Sequence, residues 1–137
     1  MSYVEWYGKD RRQNWQTPRA LFYELHNEYQ FTMDGASEPG NGLMARASTA
    51  EAPLPWDRER VFCNPPWSNI APFLELAPAA DLAVFLVPAR TNARWFHRAL
   101  DLDAEPRFFL GKPRFEGAKW NSPVDCLLLV FNGEQAA

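Results

Sequence analysis

The sequence predicts an α/β fold whose mostly parallel sheet ends in an antiparallel pair. Three observations carry that reading. Residues 81–88 and 125–131 are continuous apolar runs of strand length, the pattern of strands covered on both faces. Segments with helical spacing, above all residues 18–29, alternate with the strands. Near the C-terminal side, residues 106–110 and 125–131 flank a glycine-bounded loop or hairpin, Gly111 to Gly117, which suits an antiparallel pairing.

At 137 residues the chain has the length of one domain. A hydrophobic share of 47% is enough for one core and argues against disorder, while twelve prolines cut the chain into short elements. Cys63 and Cys126 each sit inside an apolar run with no metal-like spacing, so two buried, reduced thiols of a cytoplasmic protein are expected. His26 and His97 are too few and too far apart to suggest a zinc site. No apolar leader and no run of about 18 apolar residues is found, so neither secretion nor membrane spanning is expected.

In chain order, residues 1–16 are aromatic and charged without a period, and read as an irregular arm. Thr17-Pro18 opens a helix to about Tyr29: Thr suits an N-cap, Pro the first helical position, and Leu21, Leu25 and Tyr29 repeat at i,i+4. Phe31 to Asp34 is a short strand ending in an acid, followed by small residues Gly35, Ala36 and Ser37 that let a ligand approach the backbone. Residues 38–57 read as a long loop with at most one helical turn, closing at Trp56-Asp57. Val61-Phe62-Cys63 is a buried strand, and Ile70, Phe73, Leu74 and Ala77 space a short helix. Asn92 is placed to cap a helix through about Leu100.

The residues after Val61-Phe62-Cys63 carry the chemistry. Asn64-Pro65-Pro66-Trp67 ends its strand abruptly, because each proline fixes φ and the residue before a proline is held extended. Asn64 Oδ1 and the Pro65 carbonyl then become two fixed acceptors beside an aromatic wall. That suits a planar group bearing –NH₂, such as the edge of a base turned out of its stack. An isolated Asn-Pro-Pro reads as a mere turn with Trp67 as core filler; the strand in front and the indole behind favour the chemical reading.

Charge is uneven. Residues 1–89 carry seven basic against eleven acidic side chains, a balance of −4, whereas residues 90–119 carry seven against four, a balance of +3. A basic patch on an acidic body suits contact with a phosphate backbone, with solvated surface charge as the alternative. Arg90, Arg94, Lys112, Arg114 and Lys119 are the candidates for that contact.

Taken in order, Trp15-Gln16-Thr17-Pro18, Phe31 to Ser37, Trp56-Asp57, Asn64-Pro65-Pro66-Trp67-Ser68, Leu86 to Thr91 with Trp95-Phe96-His97, and Gly111 to Phe115 resemble the small phage-type DNA N6-adenine methyltransferases. The likeness spans residues 15–131. It implies a reduced Rossmann-like core that binds S-adenosylmethionine and acts on double-stranded DNA in the cytoplasm of a bacterial host. Carried over residue by residue, Thr17 and Pro18 would sit near the methionine carboxylate. Asp34, Gly35 and Ala36 would floor the cofactor pocket, with Asp34 facing the methionine ammonium and Asp57 near the adenine. Asn64, Pro65, Pro66 and Trp67 match the catalytic motif, with Trp67 stacking on the base.

The chain departs from that pattern, and the usual glycine pair after the first strand is reduced to Gly35-Ala36. Only 29 residues separate Asp34 from Asn64, with no convincing pair of strands where two further ones are usual, and the acid that grips the cofactor ribose is unassigned between Glu38 and Glu51. The same motif also serves methylation of RNA bases or of a glutamine side-chain amide, and a non-catalytic DNA-binding module is a further alternative. Neither the recognition sequence nor the oligomeric state is legible.

Overall fold

A computed structural model describes residues 16–38, 40, 42–109 and 125–133. Residues 1–15 of the expected arm, the loop from Gly111 to Gly117, and Lys112, Arg114 and Lys119 lie outside the described residues.

Helix α1 (Arg19–Tyr29) precedes strand β1 (Met33–Ser37), followed by β2 (Ala47–Thr49) and β3 (Arg60–Cys63). A short helix α2 (Ala71–Leu74) and a single 3₁₀ turn at Ala77–Ala79 lead to β4 (Leu82–Pro88). Helix α3 (Arg94–Asp101) then connects to β5 (Glu105–Arg107), and β6 (Cys126–Asn132) completes the sheet. The strand order is β2-β1-β3-β4-β6-β5. Strands β2, β1, β3 and β4 run parallel, and β6 lies antiparallel to both β4 and β5. The mixed α/β class and the antiparallel pair are as the sequence predicts.

The long apolar runs sit where hydrophobicity demands. Every residue of β4 is buried, and its seven-residue register with β6 runs from Leu82↔Asn132 to Pro88↔Cys126. Because side chains alternate across a strand, the registers sort the sheet into two faces. Asp34, Phe62 and Val84 share one face, and Met33, Val61, Ala83 and Phe85 the alternation of the other. Helix α1 covers the first: Phe22 meets Phe62 edge-on at 5.5 Å, and Phe31 stands 5.5 Å from Phe62. Trp56 covers the second, 5.7 Å from Phe85, which in turn contacts Phe131 at 5.4 Å.

Four local readings are corrected. The stretch 38–57 is not wholly loop: Ala47–Thr49 pairs with the outer edge of β1, where Asp34 N donates to Arg46 O at 2.9 Å. Burying an edge obliges its backbone groups to find partners, and β2 supplies them with no hydrophobic pattern of its own. Thr17 does not cap α1; Pro18 occupies the N-cap position, with its carbonyl accepting from Phe22 N at 3.0 Å. Asn92 does not cap α3, which starts at Arg94 behind an extended Ala93. Trp67 is not an exposed indole but is 5% exposed, within the same core as Ile70 and Leu74.

Charged side chains tie the helices down. Arg98 on α3 holds Glu75 just beyond α2 with bonds of 2.9 and 2.7 Å. Arg107 on β5 reaches α1, donating at 2.8 Å to both Glu28 and the Tyr29 hydroxyl. Two members of the basic segment are thereby paired with acids. At the end of α1, Gln30 takes a left-handed φ of 59° and its N–H closes on His26 O. His26 Nδ1 accepts from Phe31 N at 3.1 Å and the ring stacks on Phe22, so this histidine serves the α1–β1 turn. Cys63 and Cys126 are buried free thiols. No helix among the described residues is long and apolar enough to cross a membrane, and no metal-binding cluster occurs among them.

Candidate active site

Parallel strands deliver their carboxyl ends to one edge of a sheet, and the chain following each strand builds a site there. Here β1 ends in Asp34 to Ser37, β3 runs into Asn64, and the segment leading into α1 lies above both. Between them opens a cavity of about 470 Å³, within the range that holds a cofactor-sized molecule. Gln16, Thr17, Arg19, Phe22 and Tyr23 form one wall, and residues from Asp34 to Glu38 the floor. Ser48, Thr49 and Leu54 close a second side, and Asn64, Pro66, Phe73 and Leu76 a third.

Asn64 is half-buried, and its amide Nδ2 donates to Thr17 Oγ1 at 3.2 Å. These two residues are 47 positions apart, so the contact fastens the approach to α1 onto the end of β3. Thr17 is 4% exposed, which makes its hydroxyl a buried polar group that needs such a partner.

Asp34 is 3% exposed, yet both of its oxygens are engaged. Oδ1 accepts from Ala36 N at 3.2 Å and Oδ2 from Leu43 N at 3.1 Å. The carboxylate therefore organises its own loop. Burial pushes its pKa up, and the two backbone N–H groups offset part of that rise. Burial also raises the neighbouring Cys63 thiol well above the ordinary thiol range, and the Asp34 charge pushes the same way. Cys63 is consequently held as an inert thiol.

Gly35 lines the cavity on one side and packs against the core on the other. A β-carbon there would stand 2.6 Å from Trp56 Cζ2 and 2.7 Å from Val61 Cγ1. Glycine is required by packing at least as much as by ligand approach. Trp56 Nε1 is buried with no hydrogen-bond partner among the described residues. Side-chain bonds shape the second wall: Ser48 Oγ accepts from Leu54 N and Thr49 Oγ1 from Ala52 N, each at 2.9 Å.

Of the residues singled out from sequence, Thr17, Asp34, Gly35, Ala36, Asn64 and Pro66 meet in this cavity. Pro18 lies between two lining residues, and Pro65 is buried between Asn64 and Pro66, without either forming part of the wall. Trp67 also stays out of the lining, since its indole turns into the core. Asp57 is misplaced: it is exposed in the turn that precedes β3, so it stands at the amino ends of the strands, across the sheet from Asn64. Glu38 lines the cavity and Glu51 does not.

Arg90 and Arg94 follow the carboxyl end of β4, the same edge as Asn64, with a turn closed by Ala93 N donating to Arg90 O at 3.1 Å. Sequence reasoning missed Tyr23, Leu43, Ser48, Leu54 and Leu76. Tyr23 and Leu76 are large apolar side chains left 57% and 44% exposed at the cavity's rim, which would have required the fold to recognise.

No curated protein and no solved structure matches the chain. A family model does match, over residues 7–126, which takes in α1, the cavity and the Asn64 corner. The chain belongs to the DNA N-6-adenine-methyltransferase (Dam) family.

Proposed function

We propose that the chain methylates N6 of an adenine turned out of double-stranded DNA, with S-adenosylmethionine as donor and a Rossmann-like core as its frame. The observation that carries the reading is the meeting of Asn64 and Asp34 at one cavity. An amide acceptor and a buried carboxylate stand where two parallel strands end.

The residues present fit that donor. A carboxylate held at 3% exposure, with its pKa raised by burial, gains from a cationic partner, which restores the charged form. Phe22, Leu54, Phe73 and Leu76 supply apolar wall for a purine, and the volume is adequate. In this reading Asp34 with Gly35 and Ala36 holds the amino-acid end, Thr17 and Pro18 lie beside it, and Glu38, the one of the two candidate acids that lines the cavity, is the acid nearest the ribose. When bound, the cofactor supplies an electrophilic methyl group.

What the chain does is hold the amine. An adenine amine is a poor nucleophile because its lone pair is delocalised into the ring. Asn64 Oδ1 and the Pro65 carbonyl accept hydrogen bonds from its two N–H groups, bias the nitrogen toward tetrahedral geometry and direct its lone pair at the methyl. The prolines keep both acceptors from relaxing away. Arg90 and Arg94, at the same edge of the sheet, lie ready to meet phosphates, with Lys112, Arg114 and Lys119 as further candidates. Trp67 takes no stacking role, because its indole is buried in the core.

The test is transfer of labelled methyl from S-adenosylmethionine to DNA, RNA and protein, followed by nucleoside analysis of the product. Label in N6-methyladenine of duplex DNA is the expected result. Label in RNA or protein alone would move the proposal to another substrate, and no label with cofactor bound would remove it.

A further inference from the structure

We propose that Thr17 is a positioning residue whose hydroxyl sets the orientation of the Asn64 amide, nitrogen toward α1 and oxygen toward the cavity. The inference rests on the role proposed above for Asn64.

An asparagine amide presents a donor on one branch and an acceptor on the other, nearly equal in size. For an incoming –NH₂ group the two are opposites. With Oδ1 forward the amide accepts a proton; turned by half a rotation, it points N–H at N–H and repels the amine. A stiff backbone corner does not resolve that choice, since the prolines fix φ and leave the last side-chain torsion of Asn64 untouched. A partner that accepts from Nδ2 does resolve it. Thr17 Oγ1 lies 3.2 Å from Asn64 Nδ2, buried at the cavity wall that both residues share. A hydroxyl is able to accept or donate, so the direction of this bond is the content of the inference: Nδ2 gives and Oγ1 receives.

This also accounts for a local oddity. Threonine before the helix is a favoured capping residue, yet α1 has no side-chain cap. Here Thr17 stands one position before the N-cap Pro18, and its hydroxyl is engaged across the cavity. The bond that this hydroxyl makes is to a residue 47 positions away, at the site.

Thr17→Val removes the hydroxyl and keeps the shape; Thr17→Ser keeps the hydroxyl and drops the methyl. Single-turnover methyl transfer at saturating cofactor should slow about tenfold in Thr17→Val, the scale of one lost preorganising bond. Any loss of calorimetric cofactor affinity should be smaller than the loss of rate, and Thr17→Ser should recover the rate. A wild-type rate in Thr17→Val overturns the inference. So does a loss confined to cofactor affinity, or a Thr17→Ser variant as slow as Thr17→Val.

Should Thr17→Val fail to fold, the unmodified protein answers by NMR. The Asn64 side-chain NH₂ protons are expected to show a nuclear Overhauser effect to Thr17, and its absence overturns the contact. Asn64→Ala, assayed in parallel, separates the two levels. Full activity there removes the proposed function, whereas an inactive Asn64→Ala beside an unimpaired Thr17→Val removes this inference alone.

Discussion

Gly35 and Trp56 claim the same space: a β-carbon on the glycine would lie 2.6 Å from the indole Cζ2, with Val61 Cγ1 at 2.7 Å behind it. The small residue at the cavity floor therefore reports on the core beneath it. Gly35→Ala is expected to destabilise the fold by about 1–3 kcal/mol, the usual cost of forcing a methyl into packed surroundings. Urea denaturation measures the loss. Combining it with Trp56→Phe, which removes Cζ2 and the unpartnered Nε1, should recover part of it. An alanine variant as stable as the parent would show that the core gives way there.

Trp67→Ala should behave as a core deletion. With the indole 5% exposed, its truncation is expected to cost about 3–5 kcal/mol, visible as a large drop in melting temperature. An unchanged melting temperature, together with weakened DNA binding, would return the residue to the base-stacking role that its place after Asn-Pro-Pro first suggests.

Asp34 predicts a pH dependence of definite sign. Burial raises its folded pKa, so the folded chain holds that proton more tightly than the unfolded chain does. The stability this contributes is fully present below the unfolded carboxyl range and is lost as pH rises through the higher folded value. Relative to Asp34→Asn, the ligand-free parent should therefore weaken as pH climbs past the ordinary carboxylate range. A cationic ligand works in the opposite sense: its affinity should rise over that same window. Paired melting and calorimetric titrations across pH check both, and a flat difference between the two proteins would contradict the assignment.

Arg107 offers a test of the outer edge. It binds Glu28 at 2.8 Å and lies 5.7 Å over the Tyr29 ring, but both members of the ion pair are substantially exposed. Arg107→Ala should cost no more than about 1 kcal/mol, because exposed pairs are screened. A loss several times larger would mean that β5 depends on this latch to stay in the sheet.

The legible parts of the fold are those where hydrophobicity alone decides. Residues 82–88 and 126–132 are apolar on both faces and had to become covered strands. Ala47-Ser48-Thr49 had no such signal, because β2 exists through the hydrogen-bonding needs of β1, a property of the neighbour. In the site, Asn64, Asp34 and Thr17 stood out through residue type and position at element ends. Trp67 stood out too, but its inward turn was not legible, since whether an aromatic turns inward depends on what lies beneath it. Asp57 was readable and was misjudged: a residue just before a strand cannot share an edge with residues just after its parallel neighbours.

The place of β6 between β4 and β5 has a temporal consequence. A chain emerging from the ribosome can lay down the parallel half early, but the β4 edge stays open until residues 126–132 have been made. Until then the nascent protein carries an uncovered, wholly apolar strand. Shielding that edge falls to chaperones, or to the speed with which the remaining residues arrive.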